Sequence, residues 1–211
     1  MLCAKIEDER MSGNQPKRKH DHYTQKAKSE GYPARSVYKL KEMQQKYHLI
    51  RPGNSVLDLG AAPGSWSLYA SELVKESGFV LALDLQDIDP AVKKKMKNGK
   101  CLRADMLAEE AGEEIAKAGP FDVVLSDAAP ATTGNRTVDT GKSFTLVCHV
   151  VTIAEEHLKE GGSLVVKIFQ GGDEQAVLER MRNLFRKVKP YKPKASRKPS
   201  FETYFIGSGK R

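Results

Sequence analysis

The stretch "VLDLGAAPGSW", residues 56–66, decides the fold. Its first half is apolar except for one acid, as in a strand buried on both faces. Its second half is a turn of Gly, Ala and Pro that leads into a helix at Ser65. Strand, small-residue turn and helix in that order put backbone N–H groups at a strand's carboxyl end, where open parallel sheets bind ligands. Gly60 and Gly64 let the main chain approach such a ligand closely. Trp66, the only tryptophan, can either wall that pocket or fill the core; its place at the edge of the turn favours the wall.

On both sides of this stretch the same grammar repeats. "FVLALDL", "GKCLRADM", "FDVVLSDAAP" and "GSLVVKIF" read as further buried strands, with helices expected over 65–77, 109–118, 143–159 and 173–185. The alternation implies an α/β fold with a doubly wound, mostly parallel sheet. "ETYFIGSG" reads as a late strand, antiparallel to its neighbour. Ahead of the sheet, "YPARSVYKLKEMQQKYHLI" predicts a helix with Pro33 in its first turn. Val37, Leu40, Met43 and Tyr47 form its apolar stripe, and Arg35, Lys39 and Lys46 form a basic ridge at the stripe's edge. The expected organisation is a basic mobile arm over 1–30 and a single domain over 31–211.

The net charge of +8 is unevenly placed: +5 over residues 1–50, −7 over 51–179 and +10 over 180–211. An acidic middle between basic ends suits a cofactor domain flanked by polyanion-binding elements, with nucleic acid as the partner. Tyr23, Tyr32 and Tyr191 lie among the basic residues, where rings can stack on unpaired bases. No apolar run reaches the roughly 20 residues that span a bilayer, and the polar N-terminus lacks a signal-peptide core, so a cytoplasmic location without membrane contact is expected. Cys3, Cys101 and Cys148 are too scattered for a disulfide framework or a zinc site. No metal is expected. With no surplus apolar helix face, a monomer is expected too.

The glycine turn departs from the dinucleotide fingerprint. Gly60, Ala62 and Ser65 stand where G-x-G-x-x-G requires glycine, and Pro63 removes an amide, so a pyrophosphate is poorly served. A nucleoside with a small zwitterionic tail fits better. Asp84 ends the second strand, about 20 residues after the turn, where an acid can take both ribose hydroxyls. Asp105 is placed to meet an adenine edge, and Asp127 ends the fourth strand. Each acid could instead cap the helix that follows it. Three at successive strand tips favour a nucleoside site, and their charge suits the sulfonium of S-adenosylmethionine. Lys167 is the one charge in an otherwise apolar strand. It can form a buried salt bridge, snorkel to solvent or act as a base.

"DLGAAPGSWSLYA", "SDAAPATTGNRTVD", "GGSLVVKIFQGG" and "SFETYFIG" resemble the signature segments of the FtsJ/RrmJ ribose 2′-O-methyltransferases, and "YPARSVYKL" resembles that family's N-terminal lysine helix. The resemblance runs from about Lys26 to Gly207. It implies a Rossmann-like S-adenosylmethionine-dependent fold and a catalytic Lys-Asp-Lys-Glu set at Lys39, Asp127, Lys167 and Glu202. It implies methylation of a uridine ribose in large-subunit ribosomal RNA, within the ribosomal subunit. Gly60, Gly64, Trp66, Asp84, Asp105 and Asp127 are then expected at the cofactor. Ser65 stands where many relatives carry a second glycine, and the stretch from Asp84 to Asp105 is a few residues longer than in the bacterial relatives, which loosens the matching of Asp105. In the implied reaction Lys167 accepts the hydroxyl proton as a neutral amine, a state that a nearby Lys39 ammonium favours. Asp127 orients Lys167, and Glu202 positions Lys39 or the ribose. A transfer-RNA ribose methyltransferase of the same family and a noncatalytic RNA-binding protein are the alternatives. A nicotinamide oxidoreductase is disfavoured by the missing third glycine and the absence of a Tyr-x-x-x-Lys arrangement.

Overall fold

Alternate residues of the central strands face two different helical layers, which is why the strands read as unbroken apolar runs. In a computed structural model, which describes residues 22–197 and 200–211, the chain forms seven strands. They are β1 (Ser55–Leu59), β2 (Phe79–Asp84), β3 (Gly99–Arg103), β4 (Phe121–Ser126), β5 (Leu158–Phe169), β6 (Phe185–Tyr191) and β7 (Glu202–Lys210). The helices are α1 (His22–Ser29), α2 (Val37–Tyr47), α3 (Ser65–Val74), α4 (Pro90–Lys95), α5 (Glu109–Ala118), α6 (Arg136–His157) and α7 (Glu174–Leu184). All strands join one sheet in the order β3-β2-β1-β4-β5-β7-β6, parallel except β7, which runs antiparallel to both neighbours.

Val56, Val80, Ala82, Val123 and Val165 pack into one core layer with residues of α2 and α3. Leu57, Leu81, Val124 and Leu164, each one position along its strand, pack into the opposite layer with residues of α5, α6 and α7. Two buried residues break the pattern on the α2–α3 side: Asp58 in β1 and Lys167 in β5. No helix among the described residues is long and apolar enough to cross a membrane.

The structure differs from the sequence reading at five places, the first being that α2 begins at Val37, so Pro33, expected in its first turn, lies before the helix. Of the arm expected over 1–30, residues 1–21 lie outside the described residues, but His22–Ser29 is helix α1, with Ala27 fully buried. Lys41 of α2 pairs with Glu30 at 2.7 Å just after α1 and lies 4.4 Å from the Tyr32 ring centroid, which ties this segment to the domain. Helix α6 begins seven residues earlier than expected, because the Asn135 side chain accepts from the N–H groups of Thr137 and Val138 and caps it. Pro90 and its Asp89 cap start the short α4 that the reading lacked. Finally, "FRKVKPY", read as basic tail, is the edge strand β6; its exposed Arg186, Lys187 and Lys189 suit an unpaired sheet margin.

Candidate active site

Register assembles the site. Lys167 lies directly opposite Tyr204 across the β5–β7 ladder, so both side chains leave the same face of the sheet. Phe169 is paired with Glu202 two residues further on. Because β7 is reversed, its first residue reaches the carboxyl end of the parallel strands, where Asp127 follows β4. Helix α2 crosses above with Lys39.

Four charged groups converge there. Lys167 Nζ lies 2.9 Å from Asp127 Oδ1 and also donates to the Asp127 carbonyl. Lys39 Nζ lies 3.8 Å from the same Oδ1 and 2.7 Å from Glu202 Oε1. Both ammonium nitrogens thus approach one carboxylate oxygen, and two acids balance them. Tyr204, fully buried, donates its hydroxyl to Asp127 Oδ1 at 2.6 Å. Burial, reinforced by the Asp127 and Glu202 charges, pushes the Tyr204 phenol well above its ordinary range, so it stays a donor. Burial also works to raise the Asp127 carboxyl, but Lys167, Lys39 and the Tyr204 hydroxyl outweigh it and hold the group below the usual carboxylate range.

Beside this cluster opens a cavity of about 580 Å³. Gly60, Asp84, Asp105 and Asp127 all line it. Gly60 has φ +75°, and a Cβ there would lie 2.5 Å from Ala128 Cβ, so the turn and the loop after β4 can meet only at a glycine. Asp84 has two duties: it lines the cavity, and its oxygens accept from the N–H groups of Ala62 and Gln86, pinning the glycine turn to the end of β2. Asp105 likewise accepts from Leu107 N. Neither acid caps a helix, since α4 is capped by Asp89, α5 has no side-chain cap and α6 is capped by Asn135; their bonds shape the turns that border the cavity. Lys142, Thr145 and His149, one face of α6, complete the far wall; the sequence reading had no signal for them.

Two residues expected at the cofactor do not line that cavity. Trp66 is 2% exposed and belongs to the core. It is the second residue of α3, whose first turn faces α2; its indole donates to the Ser36 carbonyl at 2.8 Å, and its ring packs 5.9 Å from the Tyr204 ring. Its place is beneath the tyrosine that holds Asp127. Gly64 caps α3 with φ +110°, and a Cβ there would press on Ile88 and Val92 rather than on a ligand.

A second, smaller cleft of about 240 Å³ opens on the other side of Lys39 and Glu202, lined also by Arg35, Ser36, Arg197 and Ser200. Of the basic ridge expected beside the docked face of α2, Arg35 and Lys39 line this cleft, while Lys46 is exposed. Arg35 donates to the Ala195 carbonyl at 2.6 Å, and Lys46 lies 4.7 Å from the Tyr191 ring centroid. Among the described residues no group of three His, Cys, Asp or Glu is placed to hold a metal ion.

The strand order, with β7 alone reversed, and the acid-lined cavity at the parallel strand tips define the class: a Rossmann-like methyltransferase fold. The sequence profile of the FtsJ-like methyltransferases matches residues 32–210. The chain belongs to the FtsJ-like methyltransferase family. It is 49% identical over 187 residues to the ribosomal RNA large subunit methyltransferase E of Treponema denticola, covering 89% of this chain and 93% of that one. It is 48% identical to the protein of the same name from Oleidesulfovibrio alaskensis, covering 92% and 93%. Among solved structures, one described as a ribosomal RNA methyltransferase of Plasmodium falciparum superposes with TM-score 0.71 at 24% identity, covering 85% of this chain and 98% of that one. A fibrillarin/Nop5p complex gives TM-score 0.59 at 19% identity, covering 82% of each chain. Both are likenesses of fold.

Proposed function

We propose that this chain is an S-adenosylmethionine-dependent RNA (ribose-2′-O)-methyltransferase that modifies a uridine of large-subunit ribosomal RNA in the ribosomal subunit. One observation carries the reading: both lysine ammonium groups approach a single oxygen of Asp127, which itself borders the large cavity. The donor set fits the cofactor. Gly60 leaves a close backbone approach, Asp84 and Asp105 offer carboxylates to ribose hydroxyls and an amino-bearing base, and the acidic lining would repel a pyrophosphate.

When bound, the cofactor supplies an electrophilic methyl group on a sulfonium centre. Having first given up its own ammonium proton, Lys167 as a neutral amine would take the proton of the ribose 2′-hydroxyl, leaving that oxygen free to receive the methyl group. Asp127 orients Lys167, and Tyr204 fixes Asp127. Lys39, held by Glu202, places the acceptor ribose from the smaller cleft, where Arg35 and Arg197 offer charge to the RNA backbone. The domain over 31–211 works as a monomer in the cytoplasm.

Labelled S-adenosylmethionine given with naked ribosomal RNA, ribosomal subunits and transfer RNA, followed by nucleoside analysis, tests this. We expect 2′-O-methyluridine in the large-subunit RNA. Label in transfer RNA would reassign the substrate, and label on a base would overturn the reading.

A further inference from the structure

Glu42 is absent from the catalytic cluster and from both cavities, yet it makes three long-range hydrogen bonds. It sits one helical turn beyond Lys39 on the same stripe of α2. Its Oε1 accepts from Ala195 N at 2.9 Å, and its Oε2 from Lys194 N at 2.8 Å and the Tyr191 hydroxyl at 3.4 Å. Lys194 and Ala195 are the middle of a turn closed by Ser196 N on the Pro193 carbonyl. Two N–H groups pointing the same way make an acceptor site that one carboxylate fills. Arg35, in the turn just before α2, grips the opposite polarity of the 193–196 turn at the Ala195 carbonyl. Ala195 is 1% exposed as a result.

This turn stands between β6 and β7. Immediately after it come Arg197 and Ser200, which wall the smaller cleft, and then Glu202, which holds Lys39. We propose that Glu42 is the positioning residue of the RNA side of the site: by clamping the 193–196 turn to α2 it fixes where Arg197, Ser200 and Glu202 stand relative to Lys39. The reaction needs this because Lys39 and Glu202 come from segments far apart in sequence, and an error of about 1 Å in their placement can cost on the order of 100-fold in rate. None of the turn's residues lines the large cavity, so the clamp acts on acceptor placement and leaves cofactor binding alone.

The inference rests on the proposed reaction, and the test separates the two. Glu42→Gln keeps the side chain's shape but turns an amide N–H₂ toward donors that need an acceptor. The variant and the wild type are compared by amide hydrogen exchange at Lys194 and Ala195, by S-adenosylmethionine binding, and by methylation of large-subunit RNA. Expected are faster exchange at those two amides, a cofactor Kd within about twofold, and kcat/KM for RNA reduced about tenfold or more; Glu42→Asp, which keeps the carboxylate, recovers part of that loss. Unchanged exchange at Lys194 and Ala195 would overturn the clamp, as would unchanged kcat/KM or a loss of cofactor affinity parallel to the loss of rate. If wild type modifies no RNA ribose, the proposed reaction fails, while the exchange measurement still decides the clamp.

Discussion

Tyr204 and Asp127 share a hydrogen bond of 2.6 Å on the oxygen that Lys167 Nζ approaches to 2.9 Å. A fully buried phenol thereby fixes an acid that must serve two lysines at once. Behind the phenol stands Trp66, and behind Trp66 the carbonyl of Ser36, one residue before the helix that carries Lys39. The catalytic cluster rests on this column of aromatic packing, so its geometry is set from the core side before any ligand arrives.

Lys167→Ala removes the proposed proton acceptor, which is not part of the large cavity's lining. Methyl incorporation should fall by about 10²–10⁴-fold with cofactor binding retained. Titration calorimetry and incorporation of labelled methyl on one preparation measure both, and comparable turnover would remove Lys167 as the base.

Tyr204→Phe keeps the ring and deletes the donor. Asp127 is held low in the folded state, so its contribution to stability is present above the ordinary carboxylate range and is lost as pH falls through the lowered folded value. Without the hydroxyl that folded value moves back toward the ordinary one, so the acid-linked loss should be smaller and should be complete at higher pH. At neutral pH the variant should be less stable by about 1–3 kcal/mol, measurable by urea unfolding across pH.

Gly60→Ala places a methyl 2.5 Å from Ala128 Cβ and 2.6 Å from Ala128 Cα on a backbone with φ +75°. The left-handed conformation alone costs an L-residue about 1–2 kcal/mol, and the displaced backbone of the loop after β4 adds to it. Cofactor affinity should drop together with melting temperature. Unaltered affinity would mean that the cavity wall tolerates the shift.

Asp58, fully buried in β1, has Oδ2 accepting from the hydroxyl of Ser67 in α3 and Oδ1 without a partner among the described residues. Burial, opposed by that hydrogen bond and reinforced by the Asp127 and Asp84 charges, pushes its carboxyl up to about 7. A raised folded value gives stability that is fully present below the unfolded value of 3.8 and lost as pH rises through about 7. Asp58→Asn cannot titrate, so its stability relative to wild type should improve between pH 5 and pH 8. A constant difference across that range would place the ionised form in the native protein.

If Arg35, Lys39 and Arg197 at the smaller cleft meet phosphates as proposed, the logarithm of the RNA affinity should fall linearly with the logarithm of salt concentration. Binding assays at several salt concentrations give the slope, and Arg197→Ala should lower it by about one unit.

The strand–turn–helix grammar around residues 56–66 carried the sheet, because apolar runs and glycine punctuation are local signals. Lys167 was readable as one charge in an apolar strand, and Asp84, Asp105 and Asp127 as acids at strand tips. What escaped depends on packing between distant segments. Trp66 sits at the edge of the turn in sequence, but its helix faces α2, so it fills the core. The basic ridge on α2 gave no hint that Glu42 interrupts it to hold a turn about 150 residues away. Tyr204 was within reach, since pairing β5 antiparallel with β7 sets it opposite Lys167; the missing step was the register. Strand β6 stayed hidden because only Phe185 on it is fully buried.

The reversed seventh strand has a consequence for when the enzyme becomes competent. Tyr204 and Glu202 both belong to β7, which slots between β5 and β6 instead of adding to the outside. Until that strand is in place Lys39 has only Asp127, 3.8 Å away, and Asp127 lacks the Tyr204 hydroxyl. Completion of the charged cluster therefore waits on the insertion of β7 between β5 and β6.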